Sequence, residues 1–201
     1  AIYISSEIKG LSKLDVVEIK YLSPGHYLTA QGEVNYFSVN PTEVPKDLDS
    51  LVGNLRALID NAVRKMVDLP QPIGVLFSGG IDSATVLSTA IKYHPKVTAI
   101  TFGTKGSPDR DVAERYCREN SVPLIVAEPK NWDHITDEFV RVAETIETPI
   151  VHHIPGNYMA SRAAHENGLR VILVGESSDE IFGGYGIFKE VDNALVTRIS
   201  E

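Results

Sequence analysis

The spacing of apolar positions changes period several times along the chain, and each change predicts an element. Leu48, Leu51, Val52, Leu55, Leu58, Ile59, Ala62, Val63 and Met66 keep a helical period from Asp47 onward for about five turns. Ile73, Val75, Leu76 and Phe77 then form a short apolar run suited to a buried strand. From Ile81 the helical spacing returns at Ala84, Val86, Leu87, Ala90 and Ile91. A strand therefore runs into a helix through Ser78-Gly79-Gly80. Downstream the pattern predicts strands over 97–102, 124–127 and 170–174, and helices over 109–120, 132–145 and 157–167. This alternation predicts an α/β fold with a mostly parallel sheet, helices on both faces and right-handed crossovers.

Residues 1–40 differ, with strand patterns over 2–4, 25–29 and 34–37, the last after a Gln31-Gly32 turn. That short β-rich segment is too little to fold alone as a sheet. Pro41 and Pro45 mark 41–46 as a linker, and 47–201 form the main unit. The chain opens at Ala1 inside a strand pattern, so it is expected to be a piece of a longer or processed protein, incomplete at its C-terminus as well. The last dozen residues are polar and read as a frayed helix.

Composition narrows the class. A hydrophobic fraction of 43% supports a real core, and a net charge of −8 with no basic run argues against nucleic-acid or anionic-membrane binding. A lone cysteine, Cys117, excludes a disulfide framework and sits in a helical pattern with Val112, Ala113 and Tyr116, as a buried structural thiol would. No apolar run reaches about 18 residues and no signal-peptide pattern opens the chain, so the expected location is cytoplasmic. Trp132 reads as packing, and the adjacent His152 and His153 lack a third ligand at metal spacing.

In such sheets the ligand lies beyond the carboxyl ends of the strands. That selects the loops at 78–83, 103–109, 147–157 and 175–185. The glycine turn lets backbone N–H groups approach a ligand together with the positive end of a helix, which makes an anion site suited to phosphate. A carboxylate beside phosphate is repulsive without a cation, so Asp82 reads as a magnesium ligand. The plainer alternative is an ordinary turn, with Ser78 as N-cap and Asp82 favouring the first helical turn. Lys105-Gly106-Ser107 lacks the upstream glycine spacing of a Walker loop. A second acidic group, Glu176, Asp179 and Glu180, follows the last strand on the same edge. Asp82 and Asp179 together suit magnesium on a pyrophosphate, and Glu176 suits a base or an organiser of the acceptor. Alternatively Asp179 and Glu180 simply start a helix and Glu176 is solvated.

Ser78-Gly79-Gly80-Ile81-Asp82-Ser83 after a buried strand resembles the pyrophosphate loop of the ATP pyrophosphatases. Taken with Gly175-Glu176-Ser177-Ser178-Asp179-Glu180-Ile181-Phe182-Gly183-Gly184-Tyr185, it resembles the synthetase domain of glutamine-dependent asparagine synthetases. The likeness extends to 102–109, 146–149 and 157–162, and 1–40 resemble the closing strands of that family's glutaminase domain.

The resemblance implies an adenine nucleotide α-hydrolase-like fold of the PP-loop ATPases. It implies ATP and Mg2+ as cofactors and activation of a carboxylate, with aspartate the leading case, to an acyl-adenylate and pyrophosphate. Ammonia then attacks to give the amide and AMP, as in asparagine biosynthesis. By position, Ser78, Gly79, Gly80, Asp82 and Ser83 would bind pyrophosphate, Asp82 and Asp179 magnesium, and Leu76, Phe102 and Gly103 the adenosine. Gly175 and Glu176 would border the adenylate and the incoming amine, with Glu176 and Asp179 as catalytic residues.

The family's N-terminal cysteine nucleophile has no counterpart here, so ammonia would come from a separate glutaminase domain or subunit. A lysine that the family places beyond the Gly-Gly-Tyr segment has no match either. Ser177 stands where glycine is frequent, and Val174 where serine is common. A non-catalytic nucleotide-binding fragment, an enzyme with another acceptor such as a lactam-forming synthetase, and a homodimer all remain open.

Overall fold

The computed structural model describes residues 2–40, 47–128, 135–146 and 154–186. A 3-10 turn over Ile8–Leu11 precedes two short strands, β1 (His26–Thr29) and β2 (Gly32–Asn35), which pair antiparallel with Thr29 opposite Gly32. The Tyr36 and Phe37 amides both donate to the Gly25 carbonyl at 2.8 and 3.2 Å, closing the ribbon at its open end. The strand expected at 2–4 does not form: Ile2 and Ile4 are 85% and 82% exposed, and among the described residues no strand pairs with them. Alternation makes a strand only where a neighbour takes up its backbone groups.

The linker residues 41–46 lie outside the described residues, as do Trp132, His152, His153 and the C-terminal stretch 187–201.

Helix α1 (Leu48–Met66) starts where the apolar period starts. Asp47 is its N-cap, the carboxylate accepting from the Ser50 amide at 3.0 Å and from the Ser50 hydroxyl. Those bonds hold the Asp47 carboxyl below its ordinary value of 3.8. A depressed folded value stabilises above the unfolded value and is lost as pH falls through the folded one. Asp47→Ala should therefore lower Tm near neutrality, and the gap to the parent protein should close as pH falls below the ordinary 3.8 in a pH series of melts.

The remaining elements alternate: β3 (Ile73–Leu76), α2 (Ile81–Tyr93), β4 (Val97–Phe102), α3 (Pro108–Glu119), β5 (Leu124–Ala127), α4 (Ile135–Ile146), α5 (Ile154–Glu166), β6 (Val171–Leu173) and α6 (Ser178–Phe182). The four strands from β3 onward form one sheet in the order β5-β4-β3-β6 with every pair parallel. This is the α/β class expected from the alternation.

Helix α5 begins three residues before the expected 157, because Pro155 in a first turn has no intrahelical N–H bond to lose. Strand β6 is shorter than 170–174, since its pairing with β3 ends at Leu173 opposite Val75 and leaves Val174 exposed.

Strand alternation assigns the two faces. Ile73, Val75 and Phe77 point to one side and pack with Val97, Ala99, Val63 of α1, Leu87 of α2, and Ala113 and Cys117 of α3. Ile100 and the half-buried Leu76 and Phe102 point to the other, against Met159, Ala160 and Ala164 of α5. Burial pushes the Cys117 thiol up, as expected of a structural cysteine. No helix among the described residues is long and apolar enough to cross a membrane.

Candidate active site

The strand order sets where a ligand fits. From β3 the chain moves outward through β4 to β5, then returns so that β6 pairs on the other side of β3. The carboxyl ends of β3 and β6 thus flank a topological switch point, where the loops part and leave a crevice.

At the end of β3 the chain turns sharply into α2. Gly79 has φ +85°, and a Cβ there would lie 2.6 Å from Val112 Cγ1, so both the backbone and the α3 contact call for glycine. The N-cap of α2 is Gly80, which makes no side-chain cap, and Ser78 does not take the capping place. The Ser78 hydroxyl instead meets Ser83 Oγ at 3.2 Å and accepts from the Gly80 amide at 3.4 Å, while Ser83 Oγ donates to the Gly80 carbonyl at 3.1 Å. With no side chain capping it, the positive end of this 13-residue helix faces the crevice, the arrangement that favours a bound anion. Asp82 sits half-buried in the first turn.

The loop after β6 packs directly on that turn. A Cβ at Gly175 would lie 2.9 Å from the Asp82 carbonyl carbon and from the Ser83 nitrogen, so these two backbones touch. Ser178 Oγ donates back to the Gly175 carbonyl at 3.0 Å. Ser177 enters α6 at φ +72°, in the left-handed region that costs a residue bearing Cβ about 1–2 kcal/mol. Ser177→Gly should therefore raise stability by about 0.5–1 kcal/mol once glycine's extra unfolded-state entropy is counted, read as a small rise in Tm.

Asp179 is half-buried in the first turn of α6, and Gly184 folds back over it, the Gly184 amide donating to the Asp179 carbonyl at 3.0 Å. Tyr185 donates its hydroxyl to Glu180 Oε1 at 2.7 Å, which holds the Glu180 carboxyl below its usual range and pushes the Tyr185 phenol up to about 12.

Beside this turn, between the ends of β3 and β4, lies a cleft of about 200 Å³ lined by Leu76, Phe77, Ser78, Thr101, Phe102, Asp109, Gly156 and Asn157. Gly156 approaches the Phe102 ring so closely that a Cβ would meet it at 3.0 Å. The loop leaving β4 is pinned by Arg110, which donates to the Gly103 carbonyl at 3.2 Å and to Glu114 at 2.7 Å, and pairs with Glu128 beyond β5. A wider, open concavity of about 650 Å³ lies at the opposite end of the sheet, between the C-terminal ends of α1 and α2, away from every one of these loops.

Residues 54–198 match the asparagine synthase family. The chain belongs to that family.

Three curated relatives show how much of it is matched. The chain is 31% identical over 215 residues to a glutamine-hydrolysing asparagine synthetase of Sandersonia aurantiaca, covering 96% of this chain and 39% of that protein. It is 33% identical over 214 residues to asparagine synthetase 3 of Arabidopsis thaliana, covering 96% and 36%. It is 28% identical over 216 residues to asparagine synthetase B of Escherichia coli, covering 96% and 39%. The chain thus spans less than two-fifths of the length of these relatives. Among solved structures, an NH3-dependent NAD synthetase from Campylobacter jejuni is similar at 20% identity and a TM-score of 0.44, covering 67% of this chain and 60% of that one.

In this asparagine synthase family chain, Ser78, Gly79, Gly80, Asp82, Ser83 and Gly175 come together at the switch point, with Asp179 on the adjoining turn. Leu76 and Phe102 line the cleft, whereas Gly103 is buried behind it and offers its carbonyl to Arg110. Glu176 is exposed on the loop between Gly175 and α6. Thr101 and Arg110 were not singled out from the sequence. The signal for Thr101 was a polar residue in an otherwise apolar strand; Arg110 carried none, because its partners come from three separate elements.

Proposed function

We propose that this chain carries the adenylating site of an amide-forming ligase, which activates a carboxylate, aspartate in the leading case, with ATP and then takes ammonia. The observation that carries this reading is the contact of Gly175 with the Asp82–Ser83 backbone, which joins the open start of α2 to the second acidic loop at one sheet edge.

The glycine turn and the first amides of α2 bind the β- and γ-phosphates, and the paired hydroxyls of Ser78 and Ser83 hold that turn in shape. The purine lies in the cleft between Leu76 and Phe102. A substrate carboxylate oxygen then attacks the α-phosphorus, the α–β bond breaks and pyrophosphate leaves, producing an acyl-adenylate. Ammonia attacks the acyl carbon, AMP departs, and the proton lost from nitrogen passes to Glu176, which is exposed on the loop after β6.

Asp82 and Asp179 offer hard oxygen donors, and among the described residues no group of three His, Cys, Asp or Glu side chains could hold a metal. That donor set fits magnesium, which takes one or two carboxylates and completes its shell with phosphate oxygens and water. Bound there, the ion would neutralise charge on the departing pyrophosphate.

Residues 1–40 are read as the closing part of a glutaminase-type domain and 41–46 as its linker, so ammonia reaches the site from that domain or from a separate glutaminase subunit. The test is a glutamine-free assay with ATP, magnesium and ammonium, in which aspartate is compared with a panel of carboxylic acids. The expected product is asparagine with AMP. Amide formed from another acid and none from aspartate would transfer the reading to a different acceptor, and ATP binding without any amide would reduce it to a nucleotide-binding module.

A further inference from the structure

Helix α5 lies on the side of the sheet that carries Leu76 and Phe102, and its buried stripe runs through Ala160 and Ala164, which are 2% and 0% exposed. Residues three and seven positions apart share a helix face, so the next place on that stripe toward the start of α5 is position 157. An apolar side chain would continue the packing there, yet the residue is asparagine. Asn157 stands where the stripe reaches the cleft between the ends of β3 and β4, half-buried among its lining residues. Its neighbour Gly156 sets how closely the helix approaches, since a Cβ there would meet the Phe102 ring at 3.0 Å. Asn157 is therefore on the same side as the two apolar residues that flank the purine. Among the described residues its side-chain amide makes no hydrogen bond. The fold gains nothing from such a group, whereas in an apolar cleft a few placed polar groups fix how a ligand lies.

The other polar residues of the lining are committed or turned away. Ser78 bonds Ser83 within the glycine turn, Thr101 is 1% exposed, and Asp109 is exposed at the start of α3. An amide offers a donor and an acceptor side by side, and adenine presents the complementary pair along one edge, its 6-amino group beside a ring nitrogen. We propose that Asn157 is the base-reading residue of this cleft, its carbonyl accepting from the 6-amino group of adenine and its NH2 donating to the adjacent ring nitrogen. The inference rests on the reading of the cleft as a nucleotide site and adds what selects the base. The glycine turn and the acidic loops meet only phosphates and cannot make that selection.

Magnesium-ATP and the magnesium complex of purine riboside triphosphate, which lacks only the 6-amino group, are titrated calorimetrically onto the whole chain and onto Asn157→Leu and Asn157→Ala. A nucleotide-free thermal melt of each accompanies the titrations. Leucine is close to asparagine in size and suits the apolar stripe, and alanine suits the helix. The parent is expected to bind ATP about five- to tenfold more tightly than the nucleotide without the amino group, and each variant to bind the two within about twofold of each other. The Tm of Asn157→Leu should be no lower than the parent's. A general loosening of the cleft would weaken both nucleotides alike, so the ratio isolates the contact with the base. A parent that binds both equally, variants that keep its preference, or a Tm well below the parent's in both variants would overturn the proposal. Failure of the parent chain to bind either nucleotide would instead overturn the nucleotide reading itself.

Discussion

Asp82→Asn is expected to slow pyrophosphate release by about a hundredfold and to weaken its dependence on magnesium, with little change in the fold. The residue sits half-buried in the first turn of α2, outside both clusters of the core, so asparagine fits the same space. What is lost is the charge. At a helix N-terminus that charge also contributes about 0.3–1 kcal/mol to stability, so a fall in Tm of a few degrees is expected alongside. A magnesium titration of activity, run beside a thermal melt, separates the two effects. A folded variant with the parent's magnesium dependence would remove Asp82 from the metal; an unfolded one would make it a structural residue.

Gly175→Ala is expected to damage both the site and the fold. The added methyl would stand 2.9 Å from the Asp82 carbonyl carbon and the Ser83 nitrogen and 3.0 Å from Asp82 Cβ, and the first two are backbone atoms within a helix turn that cannot swing aside. Either the loop after β6 moves away, separating the two acidic groups, or α2 shifts at its start. Overpacking of this kind costs about 1–3 kcal/mol, and an ångström of displacement at a reacting centre costs about a hundredfold in rate. A lowered Tm together with activity at or below about a hundredth of the parent's is the expected pair of results. Parent-like values for both would mean that the loops are not held together by this contact.

The contrast between these two residues shows what the chain discloses as a string. Asp82 was legible because a strand-turn-helix pattern places it at a helix start, and the local alternation fixes such patterns almost to the residue: β4 and β5 lie where the apolar spacing puts them, over Val97–Phe102 and Leu124–Ala127. Gly175 was legible as a loop glycine, but its contact with Asp82 depends on β6 pairing beside β3, which no local pattern encodes.

The same division explains the departures. Ile2 and Ile4 alternate as a strand would, yet strand formation needs a partner, and among the described residues none is present. Helix α5 starts ahead of the expected 157 because its first turn accepts Pro155 without loss. The plainer alternative, an ordinary turn capped by Ser78, is not what forms: the cap lies two residues further on at Gly80, and Ser78 bonds Ser83. Arg110 ties Gly103, Glu114 and Glu128 together across two loops and a helix, so its part in shaping the cleft emerges only once the sheet is assembled.

The most direct test of the adenylating site is pyrophosphate release from magnesium-ATP, measured with aspartate and ammonium present and then with each omitted. Release that requires aspartate but proceeds without ammonium, at least for a single turnover, is the result expected of a site that forms an acyl-adenylate before the amine attacks. Absence of release from a chain that binds ATP, or release indifferent to aspartate, would contradict it.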